Sequence, residues 1–270
     1  MEGIQNPYRI RKKILDIIYQ AKAGHIGGDF SVCDILNLLY GRHMHISPEL
    51  VNAPERDRFI LSKGHCVEAL YSVLYAYGYL TQEELETVGK FGSHLIGHPH
   101  NSVNGIEMNS GSLGHGLSIG VGMALSFRMS GQKNRVYVVI GDGEQEEGSV
   151  WEGAMAAGHY GLSNLTAVVD RNGLQISGTT EEVMSQEPLH TRWESFGWHV
   201  IEARGNDYDD LDRAFSEAKD RKDRPTVILA HTTKGCGVSF MENNVQWHHK
   251  VPSEEEYQTA CRELSEKGGF

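Results

Sequence analysis

The sequence contains no apolar run close to the roughly 20 residues that a helix needs to cross a bilayer, so no membrane span is expected. The N-terminus, MEGIQNPYRIRKKILDIIYQAKAG, carries basic residues but lacks an uninterrupted apolar core. It therefore does not read as a signal peptide. The four cysteines (Cys33, Cys66, Cys236, Cys261) form no CxxC. That spacing points to free thiols in a reducing cytoplasm and gives zinc little support. Positive charge is also short: 25 Lys and Arg stand against 36 Asp and Glu, a formal net charge of −11. A nucleic acid partner demands a basic surface and is not expected. Small anionic ligands stay compatible, because a metal or a ring of amides reverses the sign inside one pocket. No repeat, low-complexity stretch or linker interrupts the 270 residues. One domain over residues 1–270, with a closing tail from about 240 to 270, is the expectation.

Near-continuous apolar runs mark the strands: Arg135–Ile140, Leu165–Val169, Trp198–Ile201, Thr226–Ala230 and the shorter Arg58–Leu61. Such runs suit strands covered on both faces. Helical patterns lie between them over Cys66–Tyr77, Leu113–Met129, Gly148–Tyr160 and Tyr208–Arg221. An amphipathic helix carrying Ile10, Ile14, Ile17 and Ile18 opens the chain, and a helix over Pro252–Lys267 closes it. The alternation predicts an α/β fold: a mostly parallel sheet with helices on both faces and right-handed crossovers. Ligands in such sheets bind beyond the C-terminal strand ends, so the residues after Ile140, Val169 and Ala230 draw attention.

After the Arg135–Ile140 strand comes Gly141-Asp142-Gly143. The glycines allow a tight turn and close approach of backbone to ligand, and Asp142 supplies a hard oxygen. The helix from about Gly148 aims its N-terminus at the same place, which favours anions. After the next strand comes Asp170-Arg171-Asn172-Gly173-Leu174, with Asn172 30 residues beyond Asp142. One strand, a crossover helix and another strand fill that interval, so both residues fall on the same sheet edge. A carboxylate, an amide oxygen, a backbone carbonyl and phosphate oxygens make an octahedral oxygen site suited to Mg²⁺ or Ca²⁺. Alone, GDG is equally a strand-end turn; the paired spacing argues for the metal.

Fourteen histidines are many, and three follow glycine in small-residue loops: His25 in KAGHIGG, His65 in LSKGHC and His98 in IGHPH. Each alone reads as an ordinary loop histidine. Together they suggest proton transfer and hydroxyl recognition near neutral pH.

These motifs resemble the N-terminal, diphosphate-binding domain of transketolase. GDG followed by Asn172 is similar to the family's thiamine-diphosphate-binding motif. The three histidine loops resemble its SGH(P/I)G, SxGH and GHP loops, and Gly111–Gly116 (GSLGHG) resembles its GPLGQG. Order and spacing agree from about residue 10 to 240. The resemblance implies the thiamine-diphosphate-binding fold and places the metal on Asp142, Asn172 and the carbonyl of Leu174. It implies that Gly141 and Gly143 border the diphosphate, with Gly143 giving an amide, and that Gly111 and Leu113 bind the aminopyrimidine through backbone groups. His25, His65 and His98 would handle the sugar, with His65 also near the diphosphate. Glu147 and Glu152 match acidic interface positions, or complement a helix dipole.

Departures from the pattern are Ser112 for Pro and His115 for Gln, which leave backbone contacts possible. Near the end, Asn244–His249 stands where the family carries a GTHGVHG-like stretch, which makes His248 a candidate cofactor contact. Thr232–Gly237 (TTKGCG) resembles a stretch of deoxyxylulose-phosphate synthases, and Lys234 reads equally as a point charge that meets a phosphate or as a solvated loop lysine.

The family's cofactor loses a thiazolium proton with help from a glutamate in a second, pyrimidine-binding domain. The sequence ends at Phe270 with no room for that domain. The resemblance therefore implies the N-terminal subunit of a split transketolase, inactive alone, pairing with a separate C-terminal subunit into an α2β2 heterotetramer. Such an enzyme transfers a two-carbon ketol unit between sugar phosphates or similar anionic sugars. The donor and acceptor are not legible, because the residues expected to set them lie largely in the partner. Two other readings stand beside this one: a decarboxylating thiamine enzyme of the deoxyxylulose-phosphate-synthase kind, and a cofactor-binding subunit without activity.

Overall fold

A computed structural model describes residues 3–270; the first two residues of the N-terminal segment lie outside the described residues. Five strands form one parallel sheet: β1 (Arg58–Leu61), β2 (Val136–Gly141), β3 (Leu165–Arg171), β4 (His199–Arg204) and β5 (Thr226–His231). Their spatial order is β1-β2-β3-β5-β4, and every neighbouring pair is parallel. The expected strands are all present. Their ends agree closely with the apolar runs, except that β4 continues past Ile201 to Arg204.

The helices are α1 (Pro7–Ala21), α2 (Ile26–Leu38), α3 (Val67–Ala76), α4 (Gln82–Leu85), α5 (Gly116–Met129), α6 (Gly148–Tyr160), α7 (Thr180–Met184), α8 (Leu189–Ser195), α9 (Tyr208–Asp220) and α10 (Glu254–Gly268). The start of α1 follows from local chemistry. The Asn6 side chain accepts from the N–H of Tyr8 at 3.0 Å and of Arg9 at 3.3 Å, and Pro7 occupies the first turn, where no N–H is needed. A capping box of Ser253 and Glu256 opens α10. Periodicity does not predict α2, because all of its residues are buried and no polar face sets a period.

Alternate residues of each strand face opposite ways. Val136, Val138 and Ile140 of β2 join Leu117 of α5 and Ala154 of α6 in one core. Tyr137 and Val139 face the other core, with Phe30 of α2, Leu70 of α3 and Phe215 of α9. Helices thus cover both faces of the sheet. Burying a side chain such as Phe30 or Ile26 contributes roughly 1.5–3 kcal/mol. Space between α6 and the end of α8 is tight: a Cβ on Gly158 would lie 1.8 Å from the carbonyl oxygen of Phe196. Any side chain there forces the two segments apart.

Parallel pairing puts the C-terminal ends of β1, β2, β3 and β5 along one edge. Gly141 and Asp170 are register partners, so the segments that follow them lie side by side.

Candidate functional site

A pocket of about 630 Å³ opens at this edge. Four strand ends contribute to it: Lys63 and His65 after β1, Asp142 after β2, Asn172 after β3 and Lys234 after β5. All three predicted metal ligands, Asp142, Asn172 and Leu174, line it. So do Gly111, Leu113, Gly141, Gly143, His25 and His248. Another cavity, of about 530 Å³, lies beside α1, α3 and Phe270 and contains none of these residues.

The β2 turn is held by Glu144, a residue that motif reasoning passed over. Its carboxylate accepts from the N–H of Gly114 at 2.9 Å and of Gly141 at 2.9 Å, and from the Ser62 hydroxyl. One buried side chain therefore ties the end of β1, the Gly111–Gly116 loop and the GDG turn together. Burial pushes the Glu144 carboxyl up, and the hydrogen bonds from Ser62, Gly141 and Gly114 oppose that shift.

Asp142 is 2% exposed. Burial pushes its carboxyl up to about 6, while the amide of Gly173 and the charge of Arg171 pull it back. The Arg171 guanidinium pairs with it at 3.4 Å. After β3, the Asn172 side-chain oxygen accepts from the N–H of Leu174 at 3.1 Å. Gly173 between them has φ +75°, a conformation that glycine adopts without strain. The turn presents the carbonyl of Leu174 to the pocket, where the Lys234 ammonium donates to it at 3.3 Å.

Lys63 is a second unpredicted residue, although it sits inside the LSKGH motif. Its buried ammonium pairs with Asp170 at 2.5 Å, and Asp170 is 0% exposed. Asp170 also accepts from the Ser31 hydroxyl at 2.6 Å and from the Thr232 hydroxyl. Burial most strongly disfavours the charge on Lys63, but Asp170 and Cys66 together outweigh it and hold the lysine above its ordinary value. A fixed cation thus forms the pocket floor.

That cation acts on the groups around it. Burial first, and the Lys63 charge second, lower the Lys234 ammonium to about 8. His65 drops to about 2 for the same two reasons in the same order. His248 drops to about 3, through burial and then Lys234. His25 drops to about 4, through burial and then its neighbours His249, His98 and Lys63. The three imidazoles are neutral at pH 7, so each offers one donor and one acceptor nitrogen. They form a cluster: ring centroids of His25 lie 5.0 Å from His65 and 5.7 Å from His248, and His65 lies 5.6 Å from His248. The Lys234 ammonium contacts His248 Nδ1 at 2.8 Å.

His98 stands at the rim rather than in the lining. It is exposed, and a Cβ on Gly111 would lie 2.9 Å from its ring. Gly111, at φ +149°, is therefore demanded both by its backbone and by the ring against it. Glu147 and Glu152 are exposed at the start of α6.

Residues 6–267 match the family described as the thiamine diphosphate binding domain of transketolase. The chain belongs to that family. It is 52% identical over 257 residues to a subunit of the apulose-4-phosphate transketolase of Phocaeicola vulgatus, covering 95% of this chain and 92% of that relative. It is 43% identical to a 6-deoxy-6-sulfo-D-fructose transketolase subunit of a Clostridium species, covering 96% and 94%. The crystal structure of transketolase from Campylobacter jejuni superposes with a TM-score of 0.92 at 29% identity. That superposition covers all of this chain but only 43% of the other, so the chain spans less than half of that transketolase. As members of this family do, the chain carries a thiamine-diphosphate-binding fold. The donor chemistry of the pocket fits the cofactor: a buried carboxylate, the Asn172 side-chain oxygen, the Leu174 carbonyl and two lysines converge there.

Proposed function

We infer that this chain holds the diphosphate and divalent metal of thiamine diphosphate as the N-terminal half of a transketolase-type enzyme. The enzyme transfers a two-carbon ketol unit between sugar phosphates or similar anionic sugars. A separate C-terminal subunit supplies the pyrimidine-binding domain. The observation that carries the reading is the convergence, in one pocket, of Asp142, Asn172 and Leu174 with the clustered imidazoles of His25, His65 and His248.

In this reading Asp142, Asn172 and the Leu174 carbonyl hold Mg²⁺ (or Ca²⁺), as hard oxygen donors suit. The amide of Gly143, with Gly141 beside it, faces the diphosphate, and Gly111 and Leu113 offer backbone groups to the aminopyrimidine. Lys234 and His248 would contact diphosphate oxygens, and the charge of such an anion would favour the protonated lysine. When bound, the cofactor supplies a thiazolium carbon that stabilises carbanions. His25, His65 and His98 bind the hydroxyl and carbonyl oxygens of the sugar and move protons at them. Lys63, fixed by Asp170, helps to keep the imidazoles neutral.

The relatives called subunits share nearly the whole length of this chain, which supports a split enzyme. An α2β2 heterotetramer places the exposed Glu147 and Glu152 at a contact between subunits. The proposed organisation is a single domain, and the free cysteines fit a cytoplasmic enzyme.

The test is reconstitution with the C-terminal subunit, followed by assay of ketol transfer. Replacing His25 or His98 by Ala lowers turnover by roughly 10²–10⁴-fold, the usual worth of a proton-transferring group, and leaves cofactor affinity nearly unchanged. Asp142→Asn weakens metal-dependent cofactor binding instead. Full transfer by this chain alone would refute the split reading. Pyruvate consumption with CO₂ release would favour the decarboxylating alternative.

A further inference from the structure

His249 has no part in the arrangement above, yet it stands in the same cluster. Its ring centroid lies 4.6 Å from that of His25, tilted by 52°. His248 approaches His25 from another direction, at 5.7 Å and 88°, and is engaged by Lys234. The two successive histidines therefore divide their tasks. His248 turns to the lysine end of the pocket, whereas His249 remains exposed to solvent.

The segment carrying this pair is braced on both sides. Trp247 is buried, at 2% exposure. The Lys250 ammonium lies 4.1 Å over its ring and pairs with Glu256 at 2.6 Å at the start of α10. A buried aromatic and a paired lysine thus fix the backbone on either side of His248 and His249. An exposed side chain on a fixed segment beside a reactive cluster is well placed to touch a ligand entering from solvent.

We propose that His249 is a substrate-binding residue, forming with His25 a two-imidazole clamp on hydroxyl groups of the sugar. The proposal rests on the ketol-transfer reading. Two imidazoles side by side present as many as two donors and two acceptors. A polyhydroxylated chain uses that set, because each hydroxyl both donates and accepts. A short 2-oxo acid has no hydroxyls to fill it. His249 thereby contributes to selecting an extended polyol over a simple oxo acid.

The experiment uses the reconstituted two-subunit enzyme with a sugar phosphate donor. His249→Gly and His249→Asn are compared with wild type. KM and kcat come from steady-state kinetics, and thiamine diphosphate affinity from quenching of tryptophan fluorescence. His249→Gly is expected to raise KM roughly 3- to 10-fold, the worth of one lost hydrogen bond. Its kcat stays within about twofold, as for lost uniform binding, and its cofactor affinity is unchanged. His249→Asn keeps a donor and an acceptor and recovers part of the loss. An unchanged KM in His249→Gly overturns the proposal. So does a fall in cofactor affinity that matches the KM change, or an equal loss in His249→Asn, because either marks a packing role. Wild-type enzyme without ketol transfer refutes the underlying reading, and the clamp with it; transfer by wild type with no effect of the variants refutes the clamp alone.

Discussion

Replacing Lys63 by Met removes the lysine paired with Asp170 and leaves that carboxylate at 0% exposure without its cation. Breaking one side of a buried ion pair costs about 3–5 kcal/mol. Two hydroxyls, from Ser31 and Thr232, remain on Asp170 and share its charge. That places the expected loss near the low end, at about 3 kcal/mol. With a urea m-value of about 3 kcal/mol/M, the midpoint falls by about 1 M. Asp170→Asn is also destabilising, because it strands the ammonium. The double variant loses less than the sum of the two, by at least about 1 kcal/mol, because neither leftover charge remains. Urea titration of the purified chain at pH 7, followed by far-UV circular dichroism, measures all three. A midpoint shift under about 0.3 M for Lys63→Met would refute the claim that Asp170 is left as an uncompensated buried charge. Strict additivity in the double variant would show that the two residues do not act on each other. The same variant bears on the site: without the Lys63 cation, His65 titrates at higher pH, which imidazole NMR shifts report.

Two further outcomes follow from the charges. Burial and the Lys63 charge lower Lys234 to about 8 in the free chain, and in the proposed contact an anionic diphosphate would bind its protonated form. Cofactor affinity should therefore fall as pH rises through about 8, and Lys234→Met should lose most of that dependence; a pH-independent affinity in wild type would exclude the contact. Asp29 on α2 faces Glu68 on α3, both buried, with Cys33, Lys63, Cys66 and Tyr71 among the titratable neighbours. Burial raises Asp29 to about 7, above its unfolded value of about 4. Its contribution to stability is thus fully present below about pH 4 and is lost as pH rises through about 7. Asp29→Asn cannot ionise, so its stability relative to wild type should improve between about pH 4 and 7. Parallel pH profiles for the two proteins would disprove the assignment.

Much of this molecule is legible along the chain. The strands declare themselves because a strand covered on both faces is apolar at nearly every position, and β2 and β3 are fully or almost fully buried. GDG, Asn172 and the glycine–histidine loops are local motifs whose order carries the family. The helix α2 is the counterexample. Its residues are all buried, so it has no polar side to set a period, and its first turn is hidden in the His25 loop. Lys63 is visible in its motif but has no evident task there, since its partner Asp170 lies 107 residues away. Glu144 is hidden for a similar reason: its bonds reach back to Ser62 and Gly114 from a turn that sequence alone reads as metal-binding.

The division has a physical cause. By itself the sequence determined the parallel α/β class, the GDG–Asn172 motif that carries the family, and the candidate histidines, because apolar burial and tight turns depend on neighbours along the chain. Tertiary structure alone decided which imidazoles meet, that His98 stays at the rim while His249 joins His25, and that one lysine–aspartate pair fixes a cation at the pocket floor. Those facts depend on distances between residues far apart in sequence, and so does every pKa in the site, because burial and Coulomb interaction act through space.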